Sequence, residues 1–223
     1  MRGIFDGVYR RLRPELQRMF RLMGGDLREF DAETAGALAD VSERDAIELL
    51  RDLHAHRLLE RVTSRMLVPG LVGLEEPVDG SQECYQLHDL LREFAQELAA
   101  EDPAEVVATA RRLSALRLRQ VEDIVAGAQY GRASAMCAAA EVQVHHSFSN
   151  EDYGTCWRLV ASLAELYEII GFPGAWPTLH ERGTAAAHAI GDERARIAML
   201  LAEGTHRAEV TPGVWTQGFM LRV

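Results

Sequence analysis

Within residues 84–98 the hydrophobic residues first recur at every second position and then at every third or fourth position. Tyr85 and Leu87 alternate with polar neighbours, which is typical of one face of a β-strand. The apolar residues that follow recur at helical spacing and predict a buried stripe: Leu87, Leu90, Leu91, Phe94 and Leu98. The sequence therefore predicts a strand that runs without a loop into an amphipathic helix, with His88 and Asp89 at the junction.

Three helices are predicted before this junction. The first begins with Pro14, which suits a first helical turn because an N–H there would be unpaired, and Gly24 follows its end. Asp31 is the expected N-cap of the second helix. Ser42 and Asp45 resemble a capping box at the start of the third.

Strands are predicted at residues 58–62 and 84–87, on either side of a loop that contains proline and glycine. Three helices, a two-stranded hairpin and a closing helix predict a winged helix-turn-helix over residues 1–101. Residues 102–223 show only helical patterns, and helices are expected at 103–125, 133–145, 155–170, 176–190 and 192–202. The last two helices, joined by Gly191, form a pair like the unit of an α-solenoid. The expected fold class is mainly α.

Charge narrows the range of partners. The chain holds 34 acidic and 24 basic residues, a net charge of −10, which disfavours a general binder of nucleic acid or of anionic membranes. Residues 1–28 differ, because they hold seven arginines and three acidic residues. This cationic start fits either a contact with an acidic or phosphate-bearing surface or a solvated face.

Every basic residue is an arginine, and the sequence contains no lysine. A P-loop needs a lysine on the β- and γ-phosphates, and Schiff-base or pyridoxal chemistry needs a lysine amine. The chain is therefore not a complete P-loop NTPase. Neither His54 with His56 nor the adjacent pair His145-His146 has the helical spacing of metal ligands. Nothing in the sequence specifies a reaction, and we expect no enzymatic activity.

The three cysteines, Cys84, Cys137 and Cys156, lack the paired spacing of a zinc or redox site. Buried free thiols in a reducing cytoplasm are the expected state. Cys84 lies near His88 in sequence, but no orienting group accompanies them as a nucleophilic pair would require. No run of apolar residues reaches the length of a membrane span, so we expect a cytoplasmic protein without a membrane contact.

Several segments resemble one family. Residues 9–22, 30–33 and 49–53, and above all residues 85–92 with Leu87-His88-Asp89, resemble the winged-helix domain of bacterial STAND NTPases, which are NB-ARC-containing regulators. Residues 171–176 and 185–193 are similar to the helical linker and first tetratricopeptide-like (TPR-like) hairpin of those proteins. The resemblance is strongest over residues 9–100. It implies two domains, a winged helix at 1–101 and a helical linker with the beginning of a TPR-like array at 102–223.

The resemblance also assigns roles to residues. Leu87-His88-Asp89 corresponds to the MHD motif of the family, with leucine in place of methionine. It implies that His88 reaches the β-phosphate of ADP held by an NTPase module, that Asp89 is its structural partner, and that Pro14 matches the proline at the winged-helix entrance. ADP or ATP would bind only with that module present, and this chain alone would hold no cofactor. The resemblance implies that the NTPase module precedes Tyr9 and that effector-binding repeats continue past Val223. We therefore expect this chain to be the middle of a switch protein.

Two other functions stay open. The first is a stand-alone winged-helix regulator that binds DNA, but the third helix has four acidic residues against two arginines, whereas a recognition helix needs a basic surround. The second is a purely structural role for the junction, in which His88 ends a strand and Asp89 caps a helix. The expected partners of the regulatory module are an NTPase module, in the same chain or another, and a protein or small-molecule effector on the helical array.

Overall fold

The computed structural model describes residues 2–25, 27–63, 83–127 and 133–210. The fold is mainly helical, with ten helices and three short strands in this part of the chain. It contains two compact units, Met1–Leu113 and Ser114–Val223. The division falls inside one long helix, whereas the domain boundary predicted from the sequence lies after residue 101.

The first unit contains two helices, a strand, two more helices, two strands and a fifth helix. In chain order these are α1 (Arg2–Tyr9), α2 (Pro14–Leu22), β1 (Glu29–Phe30), α3 (Ala32–Ala39), α4 (Glu43–Ala55), β2 (Glu60–Thr63), β3 (Glu83–Gln86) and α5 (Asp89–Ala99). The beginning of α6 (Pro103–Gly127) completes it. Helix α1 was not predicted.

The strands form one antiparallel sheet in the order β1-β3-β2. Tyr85 on the central strand pairs with Phe30 on one side and Arg61 on the other. The two-stranded hairpin predicted from the sequence was therefore incomplete, because a strand of two residues is too short to show an alternating pattern. Most of the loop predicted between residues 63 and 83 lies outside the described residues.

Aromatic side chains from three helices form the centre of the first core. The Phe94 ring of α5 lies 5.9 Å from the Tyr9 ring and 6.1 Å from the Phe20 ring, measured between centroids. Phe5 of α1 adds a further contact at 6.3 Å. Tyr9, Phe20 and Phe94 are buried. Helix α5 is thus fixed from one side by α1 and α2, which holds the junction before it in place.

The predicted helix caps are present. Asp31 accepts a hydrogen bond from the backbone N–H of Thr34 at 2.8 Å, and Ser42 accepts one from Asp45 at 3.2 Å. The capping box is only half formed, because the Ser42 hydroxyl donates to the Asp45 carboxylate at 2.7 Å.

The second unit contains the end of α6 and four further helices. These are α7 (Ala133–Ser149), α8 (Tyr153–Ile170), α9 (Trp176–Ile190) and α10 (Glu193–Val210). Helix α8 packs against α7, α9 and α10, which confirms the prediction that it is enclosed. Gly191 ends α9 with a φ of 65°, a conformation that glycine adopts without strain. Helix α10 continues past the predicted end at residue 202.

Close packing in this unit depends on small residues and buried rings. A Cβ atom on Gly183 of α9 would lie 2.6 Å from the sulfur of Met199 and 2.9 Å from Cβ of Val160. The Trp176 and Tyr167 rings meet edge to face at 5.8 Å. Three helices therefore approach each other at Gly183.

All three cysteines are buried and none forms a disulfide, as the sequence predicts. Burial raises the pKa of Cys137 to about 12 and that of Cys156 to about 11, so both stay protonated thiols near neutral pH. Among the helices of the described residues, none combines the length and the hydrophobicity needed to cross a bilayer.

Candidate functional site at the start of helix α5

The junction between β3 and α5 spans two residues. Leu87 is 2% exposed and belongs to the core, whereas His88 after it is exposed. His88 occupies the N-cap position of α5 with extended backbone angles, φ −62° and ψ 144°. Its carbonyl oxygen accepts from the backbone N–H groups of Leu91 and Arg92 at 2.9 and 3.0 Å. The backbone of His88 is therefore fixed while its side chain faces solvent.

The imidazole of His88 makes no capping hydrogen bond to the helix. The first backbone N–H groups of a helix carry a partial positive charge and lack partners inside the helix. Such groups can donate to an anion at the start of α5, where His88 is exposed.

Asp89 is the first residue of α5 and does not cap it, so the structural alternative for Asp89 was wrong in this detail. Its carboxylate lies 3.7 Å from Arg28 and 3.9 Å from Arg92. This carboxylate stabilises the helix, because the N-terminal end of a helix carries a partial positive charge. The Arg92 side chain is only 12% exposed, and its Nε atom is buried without a hydrogen-bond partner.

Leu90 was predicted in the buried stripe but is 44% exposed. Leu91, Phe94 and Ala95 form the buried face, and Leu90 lies at its edge, where the packing of α5 against the rest of the unit leaves it exposed. His88, Asp89 and Leu90 are thus three consecutive exposed residues. Together with Arg28 they form a surface with an imidazole, a carboxylate, an apolar side chain and a guanidinium.

Pro14 lies at the first position of α2, as predicted. Within the described residues it forms no hydrogen bond to His88 or Asp89. Its neighbour Arg13 is the N-cap of α2 and pairs with Asp52 of α4 at 2.5 Å. The structure therefore brings Asp89, next to the exposed His88, together with Arg28 and Arg92, whereas Pro14 is exposed and follows the arginine that pairs with Asp52.

Glu83 joins the sheet to α4. It accepts from Arg51 at 3.2 Å, from Arg61 at 2.8 Å and from the Tyr85 hydroxyl at 3.1 Å. The hydrogen bond from Arg51 holds the pKa of Glu83 below its ordinary value. Burial, followed by the hydrogen bond to Glu83, raises the pKa of Tyr85. Arg51 on the surface of α4 is therefore already paired with Glu83.

The remaining surface of α4 is acidic. Glu43, Asp45 and Glu48 are exposed, and Arg44 lies 3.9 Å from Glu48. His54 bonds through Nδ1 to the carbonyl oxygen of Leu59 at 2.9 Å. Within the described residues, no three histidine, cysteine or acidic side chains are placed to hold a metal ion.

A cleft of about 140 Å³ lies between α9 and α10 in the second unit. Its polar lining includes His180, Thr184 and His188 of α9 and Glu203 of α10. Pockets for drug-sized molecules measure about 300–1,000 Å³. This cleft has room for one side chain rather than for a whole small-molecule effector.

The candidate site predicted from the sequence contains His88 and Asp89 but not Arg28. Arg92 follows Asp89 by three residues, so helical spacing could have identified it. Arg28 comes from before β1, a strand that the sequence did not reveal, and no local signal places it beside Asp89.

Comparison with protein-family models, with curated proteins and with solved structures finds no significant match to this chain.

Proposed function

We propose that this chain is the non-catalytic regulatory part of a STAND-type signal-transduction ATPase or transcriptional regulator. In this proposal residues 1–101 form a winged helix that holds an ADP-bound NTPase module closed. The helical array after residue 102 binds an effector or partner protein. The observation that carries the proposal is the exposed His88 at the start of α5, whose imidazole makes no capping hydrogen bond to the helix.

The order of elements in the first unit supports the winged-helix part. Along the chain the elements follow in the order α2, β1, α3, α4, β2 and β3. The strands form one antiparallel sheet with β3 at its centre. This arrangement of a small sheet beside a helix-turn-helix is what a winged helix requires.

The nucleotide-sensing part depends on charge and geometry. A phosphate oxygen of ADP could accept from His88 and from the N-terminus of α5, and Arg28 would add positive charge nearby. One histidine and one helix end cannot replace a phosphate-cradling loop. We therefore expect ADP to bind the NTPase module, with His88 as an added contact that favours the closed arrangement of the domains.

DNA binding is the alternative, and the surface of α4 disfavours it. The helix that would enter a major groove exposes Glu43, Asp45 and Glu48, and its two arginines already contact Glu48 and Glu83. Phosphate contacts supply most of the affinity of such proteins. We expect no salt-dependent gel shift with duplex DNA at micromolar protein.

The DNA upstream of the Met1 codon provides the first test. We expect it to encode a strand followed by Gly-x-x-x-x-Gly-Lys-Ser/Thr. The module encoded there, expressed separately, should capture this chain in a pull-down when ADP is bound. A matched pull-down with His88→Ala should recover less protein, whereas His56→Ala, an exposed histidine at the end of α4, should recover as much as the wild type.

Two outcomes would overturn the proposal. One is a flanking sequence that encodes no phosphate-binding loop. The other is a module that binds ADP but does not capture the chain. In either case a gel shift with the purified chain would decide whether the DNA-binding alternative replaces it.

A further inference from the structure

Helix α10 exposes an apolar stripe on the side opposite the core. Leu200 and Leu201 are both 67% exposed, and Ile197 is 49% exposed. Ala195 and Met199 on the opposite side of the same helix are buried. Large apolar residues that form a patch on one helix face are more often an interface than scattered surface residues are.

One face of the helix carries five residues spaced by four, three, four and three positions, which are Glu193, Ile197, Leu200, Gly204 and Arg207. The apolar residues lie in the centre, and opposite charges lie at the two ends. A Cβ atom on Gly204 would meet no atom within 4 Å, so the surface there leaves room for a side chain from a neighbouring helix.

The charged residues at the two ends of the stripe have opposite signs and lie at equal distances from Leu200. Glu193 lies seven residues before Leu200, and Arg207 lies seven residues after it. If two such helices run antiparallel about a two-fold axis at Leu200, each Glu193 faces the Arg207 of the other copy. Each Ile197 then faces Glu203 of the other copy, beside the open space at Gly204, and the two Leu200 side chains meet. A parallel arrangement would instead place like charges together.

We propose that α10 is a self-association surface, through which two copies of this chain pair antiparallel about Leu200. The pairing is isologous, since the same surface is used on both copies. The two ends supply two intermolecular ion pairs, and the centre supplies the buried apolar contact.

The local charges permit this pairing in a protein that is acidic as a whole. Between Glu193 and Arg207 the helix has three arginines and two glutamates, whereas the chain carries a net charge of −10. Within one copy Glu193 contacts Arg196 at 3.0 Å, and Arg207 contacts Glu203. Exposed pairs of this kind stabilise little, so exchanging partners costs little.

The size of the surface sets the expected affinity. One helix pair buries less surface than the roughly 1,200 Å² at the lower end of stable interfaces, so we expect a transient dimer. Sedimentation of the full chain from about 5 to 500 μM should show a monomer–dimer equilibrium with a dissociation constant on the order of 10–100 μM.

Substitution in the centre tests the apolar contact. Leu200→Arg should weaken dimerisation by at least about tenfold, because it places two guanidinium groups against each other. Ile169→Arg is the matched control, since Ile169 is an exposed apolar residue of α8 in the same unit. It should leave the dissociation constant within about twofold of the wild type.

Charge reversal tests the orientation. Glu193→Arg and Arg207→Glu should each weaken the dimer, because each creates two like-charged contacts. The double variant restores opposite charges at both ends and should recover the wild-type affinity. Additive weakening in the double variant would contradict the antiparallel arrangement.

Two results would overturn the proposal. The first is a wild-type chain that stays monomeric across the concentration range. The second is a Leu200→Arg variant that unfolds at a lower temperature at low concentration, where the wild type is monomeric. That loss would show that other residues of the same chain cover the stripe.

Discussion

Arg18 of α2 donates from its Nε atom to Oε1 of Glu105 of α6 over 2.5 Å. The same guanidinium donates to the carbonyl oxygen of Ala39 at the end of α3. Arg112 of α6 donates to the carbonyl oxygens of Ala37 and Leu38 at 2.9 and 2.7 Å. The two arginines thus satisfy carbonyl groups that α3 leaves unpaired at its C-terminus, and they attach the start of α6 to the first unit.

Removing Arg112 should destabilise the first unit. Arg112→Met keeps much of the apolar stem but loses both carbonyl contacts, and we expect the free energy of unfolding to fall by about 1–3 kcal/mol. Urea denaturation followed by circular dichroism measures this loss. Arg119→Met on the exposed face of the same helix is the control, with an expected change within about 0.5 kcal/mol. Equal effects of the two variants would contradict the role of Arg112.

The two glycines after α2 should differ sharply in their tolerance of a side chain. A Cβ atom on Gly24 would lie 2.6 Å from the backbone nitrogen of Gln96 and 2.7 Å from the carbonyl carbon of Ala95, so α2 and α5 would have to separate. We expect Gly24→Ala to cost about 1–3 kcal/mol. Gly25 has no atom within 4 Å of such a Cβ, and Gly25→Ala should change stability by less than about 1 kcal/mol. Thermal denaturation of the two variants compares them directly, and equal melting temperatures would contradict the close approach.

Stability should depend on Glu83 in acid. The hydrogen bond from Arg51 lowers the pKa of Glu83 in the folded state, so its stabilising effect is complete above the ordinary glutamate pKa and is lost as the pH falls through the lower folded value. Glu83→Gln should therefore be less stable than the wild type at pH 7. The difference should shrink from about pH 5 downward, as seen in denaturant midpoints measured across that range. A difference that stays constant with pH would show that the carboxylate charge is not responsible.

His145 of α7 should make the second unit sensitive to mild acid. Burial lowers the pKa of His145, and Arg182 adds to this effect, while the charge of Glu141 opposes it. Its Nδ1 atom is buried without a hydrogen-bond partner. Because the folded pKa lies below the unfolded one, stability is complete above about pH 6.5 and falls as the pH drops below it.

His145→Leu should reduce that loss, because leucine cannot take up a proton. Denaturant midpoints at pH 7.5 and pH 5.5 measure the pH dependence in each variant. His188→Leu, which changes an exposed histidine of α9, is the matched control and should keep the wild-type dependence. A His145→Leu variant with an unchanged dependence would contradict the assignment.

The sequence predicted those features of the fold that local interactions decide. Pro14, Asp31 and Ser42 mark helix starts because their effects act within one turn, and Gly191 ends α9 for the same reason. Strand β1 escaped prediction because Glu29 and Phe30 pair with residues more than fifty positions away, which no local pattern encodes.

The candidate site was predictable in part. His88 was found because the change of hydrophobic period places it at the start of α5. The exposure of Leu90 and the approach of Arg28 to Asp89 depend on how α5 packs against the rest of the unit. Tertiary packing decides which side of a short helix is buried, so spacing alone could not assign Leu90 correctly.

Release of ADP tests the central proposal most directly. The chain would be combined with the proposed NTPase module and loaded with a fluorescent ADP, and dissociation would be followed after a chase with unlabelled ADP. We expect His88→Ala to release ADP about tenfold or more faster than the wild type, because it loses a hydrogen bond to a charged phosphate, while His56→Ala should match the wild type. Equal release rates for the wild type and His88→Ala would contradict the assignment of His88 as the ADP sensor.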